Sequence, residues 1–425
     1  MRLINVKAFL DLDAQNDPQD NVLKHFNDEE LRGIRYAIMS HCWCAAGSAE
    51  EMQFEELNEA TLKTVRDLRN RSGYRKIVES CLLARKEGLE WLWVDTCCIM
   101  RGSKTELSEA VNSMYQWYRN SEICFAYLHD VKFPSSTEPD AEMFPTSNGR
   151  PKWFSCSWTL QELLGPRVIH FFDQDWHLIG DKGELAPKLT EITGIPADIL
   201  AHGLPHPDDP CRPSAAQIMS WAADRKASTR EDLAYALMGI FEVHMPTKYG
   251  EHQNAFRRLQ VSIIKEYNDH SIFSWFGKER PGSILADDPS YFRGSADVVR
   301  LDPCDVFIRK CPGANERIED HEFFEVTEKG VEIWLPITLG HDTSFRHCVQ
   351  AKLACCRESQ HGELITLNLM SDLPNTIYFR GFGSFYPLSE ASTFEKLYLA
   401  IDGNYFKKPS RFTGAVGGYK RFVPR

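Results

Sequence analysis

Short apolar runs alternate with stretches of helical periodicity over the first 170 or so residues. Tyr36-Ala-Ile-Met-Ser-His-Cys-Trp43 is apolar and then ends in small and polar residues, which predicts a buried strand delivering a loop from its carboxyl end. Tyr74 to Glu87 reads as a helix, with Ile77, Cys81 and Leu82 on one side and Gly88 as its C-terminal stop. Leu89 to Ile99 predicts a second strand running into Asp95. Thr105 to Tyr118 places Leu107, Ala110, Val111, Met114 and Trp117 on one apolar face. Ile123–Leu128 and Val168–Phe172 read as two further buried strands, with a helix carrying Glu162 between them.

Strand, helix, strand, helix, strand, helix, strand implies an α/β fold, a parallel sheet with helices on both faces. In such sheets a ligand site lies at the carboxyl ends of the strands. The loops Ser40–Trp43, Asp95–Ser103 and Trp153–Glu162 are expected to meet there, which makes Ser40, His41, Trp43, Asp95, Ser103 and Trp158 candidate substrate-binding residues around Glu162.

After this region the pattern changes twice. Pro205 to Pro213 is proline-rich and reads as a linker, and Ser214–Asp224, Thr229–Phe241 and Ala255–Tyr267 then have helical spacing. Thr229-Arg-Glu-Asp232 resembles a capping box with Asp in place of Glu. From about Ser283 the period becomes two. Val331, Ile333, Leu335 and Ile337 alternate with Glu332, Trp334, Pro336 and Thr338, and Ile365, Leu367 and Leu369 alternate with Thr366 and Asn368. Ala351–Cys356, Ile377–Arg380 and Lys396–Ile401 add short strands. The expected organisation is an α/β domain at 1–195, a helical segment packed on it at 196–280, and a β-rich module at 281–425 for which a sandwich is the expected architecture.

Glu162 is the candidate with the sharpest chemistry. Taken alone, Trp158-Thr-Leu-Gln-Glu-Leu163 is an amphipathic helix start with its glutamate in water. Beside Trp153 and Trp158, however, the same carboxylate can stabilise a cationic sugar-like transition state while an indole stacks on a flat heterocycle. A second chemistry competes with it: Cys97 or Cys98 as nucleophile, His41 as base and Asp95 as the orienting group. Against that, the cysteines can fill space as small apolar groups.

These residues carry a family resemblance. Tyr36–Trp43, Trp91–Ile99, Glu106–Tyr118, Trp158–Leu164, Ser220-Trp-Ala, Glu231-Asp-Leu-Ala-Tyr235, Met245–Gly250, Ala255–Gln260 and Ser271–Trp275 resemble the fungal heterokaryon-incompatibility (HET) domain family. The resemblance covers most of residues 1–277 and implies a role in non-self recognition and regulated cell death. Trp158-Thr-Leu-Gln-Glu-Leu163 is also similar to the Trp-Cys-x-x-Glu-Leu element of TIR domains, several of which cleave NAD with that glutamate. Thr159 stands where TIR domains often have Cys. This implies a TIR/flavodoxin-like sheet and Glu162 as the catalytic residue of an NAD glycohydrolase, with NAD or a related nucleotide as substrate and no cofactor. The alternative implied role is a non-enzymatic adaptor that self-associates and takes its signal from an upstream receptor protein.

Composition removes several other classes. A net charge of −11 argues against a nucleic-acid partner, which needs clustered Lys and Arg, and the basic residues Lys407, Lys408, Arg411, Lys420 and Arg421 read as a solvated surface. No apolar run approaches the roughly 18 residues of a membrane span, and Met1-Arg-Leu-Ile-Asn-Val lacks a signal-peptide core, so a cytoplasmic location is expected. Thirteen cysteines, an odd count, are expected as reduced thiols. His41, Cys42 and Cys44, or Cys97 with Cys98, could offer zinc ligands. Adjacent residues on a strand point to opposite faces, though, so no metal is expected. Gly381-Phe-Gly383 lacks the third glycine of a dinucleotide fingerprint.

Overall fold

The structure is a computed structural model that describes residues 1–43, 50–132, 144, 150–276, 282–310, 324–328, 330–342, 345–360, 362–371, 377–380, 386–387 and 393–401. Cys44, Gly381, Gly383 and the basic residues from Lys407 onward lie outside the described residues. The chain divides into two compact units. The first comprises Met1–Gly277, Leu285–Asp302 and Ala354–Ile365, and the second Lys278–Ile284, Pro303–Leu353 and Thr366–Arg425.

The first unit is built on a seven-stranded sheet: β1 (Arg2–Asn5), β2 (Leu23–His25), β3 (Tyr36–His41), β4 (Trp91–Trp93), β5 (Ile123–Tyr127), β6 (Ile169–Phe172) and β7 (Leu178–Asp181), in the order β2-β1-β4-β3-β5-β6-β7. The four central strands are parallel, with Ile38 opposite Trp93, Ile38 opposite Cys124 and Phe125 opposite His170. These are the strands expected from the apolar runs. All six residues of β3 are buried, as a strand covered on both faces requires. The edges differ from expectation: β1, β2 and β7 extend the sheet antiparallel.

Helices flank this sheet: α1 (Val6–Asp13), α2 (Ser72–Lys86), α3 (Asp95–Cys98), α4 (Lys104–Arg119) and α5 (Thr159–Leu164). Gly88 follows α2 at φ 70°, the left-handed stop expected of it. The buried face of α2 runs through Tyr74, Ile77, Cys81 and Ala84, whereas Leu82 is exposed. In α4 the buried stripe is Ala110, Val111, Met114, Tyr115 and Tyr118, and Trp117 is only half-buried. The second strand stops at Trp93, and Asp95 opens α3. Cys97 and Cys98 therefore sit on a helical turn, and the strand-geometry argument does not apply to them.

Helices α6 (Ala215–Ala222), α7 (Asp232–Met238) and α8 (Asn254–Glu266) belong to the same unit. The expected capping interaction is half present: the Asp232 N–H donates to Thr229 Oγ1 at 3.4 Å. The proline-rich stretch before α6 is pinned by Arg212, whose guanidinium donates to the carbonyls of Pro205 and Ile240. No helix among the described residues is long and apolar enough to cross a membrane.

The C-terminal strands are β8 (Val298–Arg300), β9 (Phe324–Thr327), β10 (Gly330–Asp342), β11 (Phe345–Arg357), β12 (Leu364–Ser371), β13 (Ile377–Arg380), β14 (Tyr386–Pro387) and β15 (Thr393–Leu399). Val331, Ile333, Leu335 and Ile337 are buried on one side of β10, as the alternation predicts. The architecture is not the expected sandwich. β10 pairs with both β15 and β11, so the path β10-β15-β13-β12-β11 returns on itself as one closed sheet. Alternation fixes which face is apolar but not which strands become neighbours.

Candidate functional site

Glu162 lies on α5, all six residues of which are buried. The segment before it is tied by the Ser157 N–H to Lys226 O bond at 2.8 Å and the Lys226 N–H to Ser155 O bond at 2.7 Å. Two glycines let neighbouring helices approach. A Cβ on Gly165, at the end of α5, would lie 2.9 Å from Tyr118 Cβ, and one on Gly239, after α7, would lie 2.2 Å from Tyr115 Cβ. These close contacts bring α4 and its tyrosines against α5 and the end of α7.

The Glu162 carboxyl accepts a short hydrogen bond from Ser40 Oγ, near the carboxyl end of β3. Trp153 Nε1 donates to the same Ser40 Oγ at 2.8 Å, so the indole reaches Glu162 through the serine. The Tyr118 hydroxyl donates to Met39 O at 3.0 Å and also touches the Glu162 carboxyl. Burial pushes Glu162 well above the usual carboxylate range. The Ser40 and Tyr118 hydroxyls oppose that shift, and Cys156 and Asp95 add to it. The group therefore holds its proton more tightly than an exposed glutamate does.

Ser40→Ala should remove the hydroxyl that serves two buried partners. Trp153 Nε1 and Glu162 would each lose a hydrogen bond at a loss of about 1–3 kcal/mol, with the Glu162 proton held more tightly still. Chemical denaturation of parent and variant checks this.

A second cluster surrounds Asp95. Trp43 Nε1 donates to Asp95 Oδ2 at 2.7 Å, and Arg101 Nη2 lies 3.6 Å from the same oxygen. The Arg101 guanidinium stacks on the Trp43 ring at 3.7 Å from its centroid. His41 is 3.9 Å from Asp95 Oδ1 and 3.6 Å from Glu51 Oε2, beyond hydrogen-bond distance but within ion-pair reach. Lys76 Nζ donates to Glu51 at 2.6 Å. Burial raises the Glu51 carboxyl, but His41 and Lys76 outweigh it and hold the group well below the usual carboxylate range. Trp158 is half-buried and lies near Asp232, which accepts from the Tyr249 hydroxyl at 3.1 Å.

Ser40 and Glu162 thus meet as expected, and Asp95 joins Trp43 and His41. Ser103 does not join them: it caps α4 by accepting from the Glu106 N–H at 3.3 Å. A serine just before a helical stretch is an N-cap signal. Tyr118 and Arg225 were missed. Tyr118 falls four residues after Met114 and so was legible on the helical stripe. Arg225 lies 63 residues after Glu162 in the chain and gave no local signal. It is buried, donates from Nη1 to Cys156 O and Thr159 Oγ1, both at 2.9 Å, and its Nη2 has no protein partner. Burial lowers its pKa to about 10.

The cysteine nucleophile fares poorly at Cys97, which is fully buried with its thiol pKa pushed well up, first by burial and then by Cys98. The described cysteines are free thiols. Asp173, Asp175 and His177 approach one another closely enough to hold a metal. However, Asp173 Oδ1 accepts from the N–H groups of Asp175 at 2.9 Å and His177 at 2.8 Å, so a side-chain-capped turn accounts for the grouping.

The sequence profile of the family described as "Heterokaryon incompatibility protein (HET)" matches residues 36–148. Glu162 and α5 lie beyond that match. Vegetative incompatibility protein HET-E-1 of Podospora anserina is 39% identical over 235 residues, which is 54% of this chain and 16% of that protein. The matched region is thus about a sixth of that relative's length. No solved structure matches.

Proposed function

We propose, from the premise that this chain carries a heterokaryon-incompatibility (HET) domain at residues 36–148, that it is an effector of non-self recognition whose Glu162 carboxyl takes part in cleaving NAD or a related nucleotide at the nicotinamide–ribose bond. The observation that carries this reading is the Glu162 carboxyl itself, buried beside the carboxyl end of β3, bonded to the Ser40 hydroxyl and close to that of Tyr118. The order β4-β3-β5-β6 of the parallel strands is that of flavodoxin-like sheets, which supports the TIR-like comparison.

In the proposed step the glycosidic bond breaks with its electron pair passing to the nicotinamide nitrogen. Nicotinamide leaves neutral without a general acid, and positive charge appears on the ribose. Water adds at the anomeric carbon and gives up a proton, yielding ADP-ribose. Glu162 stabilises the ribosyl cation, Trp158 or Trp43 stacks on a ring, and Asp95, His41 and Ser40 line the approach. A carboxyl that burial keeps protonated must release its proton for this role. The pyridinium charge of the substrate favours that release.

Deprotonated Glu162 is the active form and burial raises its pKa, so kcat/KM for nicotinamide release should keep climbing with pH beyond the ordinary carboxylate range, by about tenfold per unit on the acid limb. A flat profile, or one falling with pH, would reject an ionised Glu162 as the working group. Closure of the site favours a second reading, since Glu162 is only 7% exposed. In that reading the domain self-associates and signals by contact, and Glu162→Gln leaves signalling unchanged.

A further inference from the structure

The Trp43 indole stands at the carboxyl edge of the parallel sheet, two residues beyond the end of β3. Asp95, two residues beyond the end of β4, accepts from its Nε1 at 2.7 Å. The Arg101 guanidinium lies over one face of the ring, 3.7 Å from its centroid, with Nη2 3.6 Å from the same Asp95 oxygen. Even with that cover the residue is 44% exposed, and among the described residues no second cation or ring stacks on it. A carboxylate at its edge and a cation on one face thus hold an exposed ring that seals no core. The flat bicyclic face it presents is where sheets of this kind take ligands: β3 pairs with β4 on one side and β5 on the other, so the winding of the chain reverses there.

We propose that Trp43, Arg101 and Asp95 form the base subsite for a purine nucleotide, with the neutral purine stacked on the uncovered face of Trp43 and the phosphate drawn to Arg101. The indole N–H is already taken by Asp95, so recognition falls to the ring face, which a bicyclic purine overlaps more fully than a single ring does. The guanidinium occupies the place over the ring that a cation favours. A second cation on the opposite face would meet like-charge repulsion, which disfavours a pyridinium and leaves a neutral base unaffected. The Asp95 carboxylate is shared between Trp43 Nε1, Arg101 and, at 3.9 Å, His41. Its side chain is 18% exposed against 35% for Arg101, so the charge that meets solvent beside the ring is positive, and a phosphate complements it.

This assignment deepens the nucleotide reading and rests on it for the site, not for the reaction. It decides which end of NAD lies at Trp43: the adenine end, with the nicotinamide end left for Glu162.

The test is calorimetric titration of the full chain with AMP, adenosine and nicotinamide mononucleotide. The two nucleotides each carry one phosphate and differ in the charge of the ring, while adenosine lacks the phosphate. AMP should bind more tightly than either of the others by about tenfold or more. Trp43→Ala should weaken AMP binding by about 5–150-fold, the range for losing one base–aromatic stack. Trp43→Phe should keep most of the affinity, and Arg101→Gln should narrow the preference for AMP over nicotinamide mononucleotide. Because a variant could misfold, the comparison of ligands on the unmodified chain decides by itself. Nicotinamide mononucleotide bound as tightly as AMP, no AMP binding at millimolar concentration, or a folded Trp43→Ala protein that binds AMP like the parent would overturn the proposal. AMP has no nicotinamide–ribose bond. A chain that binds it yet leaves NAD intact would therefore sink cleavage and keep the subsite, whereas NAD turnover without AMP binding would do the reverse.

Discussion

Glu162→Gln is expected to lower nicotinamide release by about 10²–10³-fold and, at the same time, to make the folded protein more stable at pH 8. The rate loss follows from removing the negative charge that faces the ribosyl cation while keeping side-chain size and the hydrogen bond from Ser40. The stability gain follows from linkage. Burial raises the folded-state pKa of Glu162 above its unfolded value, so the folded chain binds more protons than the unfolded one. Stability contributed by this group is therefore full below the ordinary carboxylate range and is lost as pH rises from there toward the raised value. The limiting slope is about 1.4 kcal/mol per pH unit for one proton. Glutamine is neutral throughout and lacks that slope. Parent and variant melts should converge in acid and separate at pH 8 with the variant higher. A variant that melts lower at pH 8 would mean that the parent carries an ionised, well-compensated carboxylate.

Gly239→Ala should destabilise the first unit by about 3 kcal/mol, the upper end of the usual cost of overpacking a core. The new Cβ would lie 2.2 Å from Tyr115 Cβ, 3.0 Å from Tyr115 Cγ and 3.4 Å from Gln161 Oε1. Tyr115 is buried and cannot swing into solvent. The displaced α4 also carries Tyr118, whose hydroxyl touches Glu162, so nicotinamide release should fall along with stability. Gly33→Ala is the control, since its Cβ would meet nothing within 4 Å, and its denaturation midpoint should match the parent.

The parallel core of the sheet was legible because β3, β5 and β6 are apolar runs flanked by helical patterns, and burial on both faces makes such runs continuous. The antiparallel edges were not, because β1, β2 and β7 are three or four residues long and carry too few positions for a period to show. Ser40 and Glu162 were found together since each sits where a strand or helix delivers it to one edge. Arg225 escaped because it joins segments far apart in the chain, and spacing cannot encode such a meeting. Leu82 and Ser103 mark the opposite error: a residue of the right type at a plausible position was assigned to a face or a cleft that the backbone does not give it.

The most direct measurement is nicotinamide release from NAD by the purified full chain, followed by chromatography across protein concentrations that span monomeric and assembled states. The account predicts many turnovers per chain, equal amounts of nicotinamide and ADP-ribose, and a rate that climbs with pH. Folded protein that releases no nicotinamide at any concentration, and shows no NAD binding by calorimetry, would contradict it.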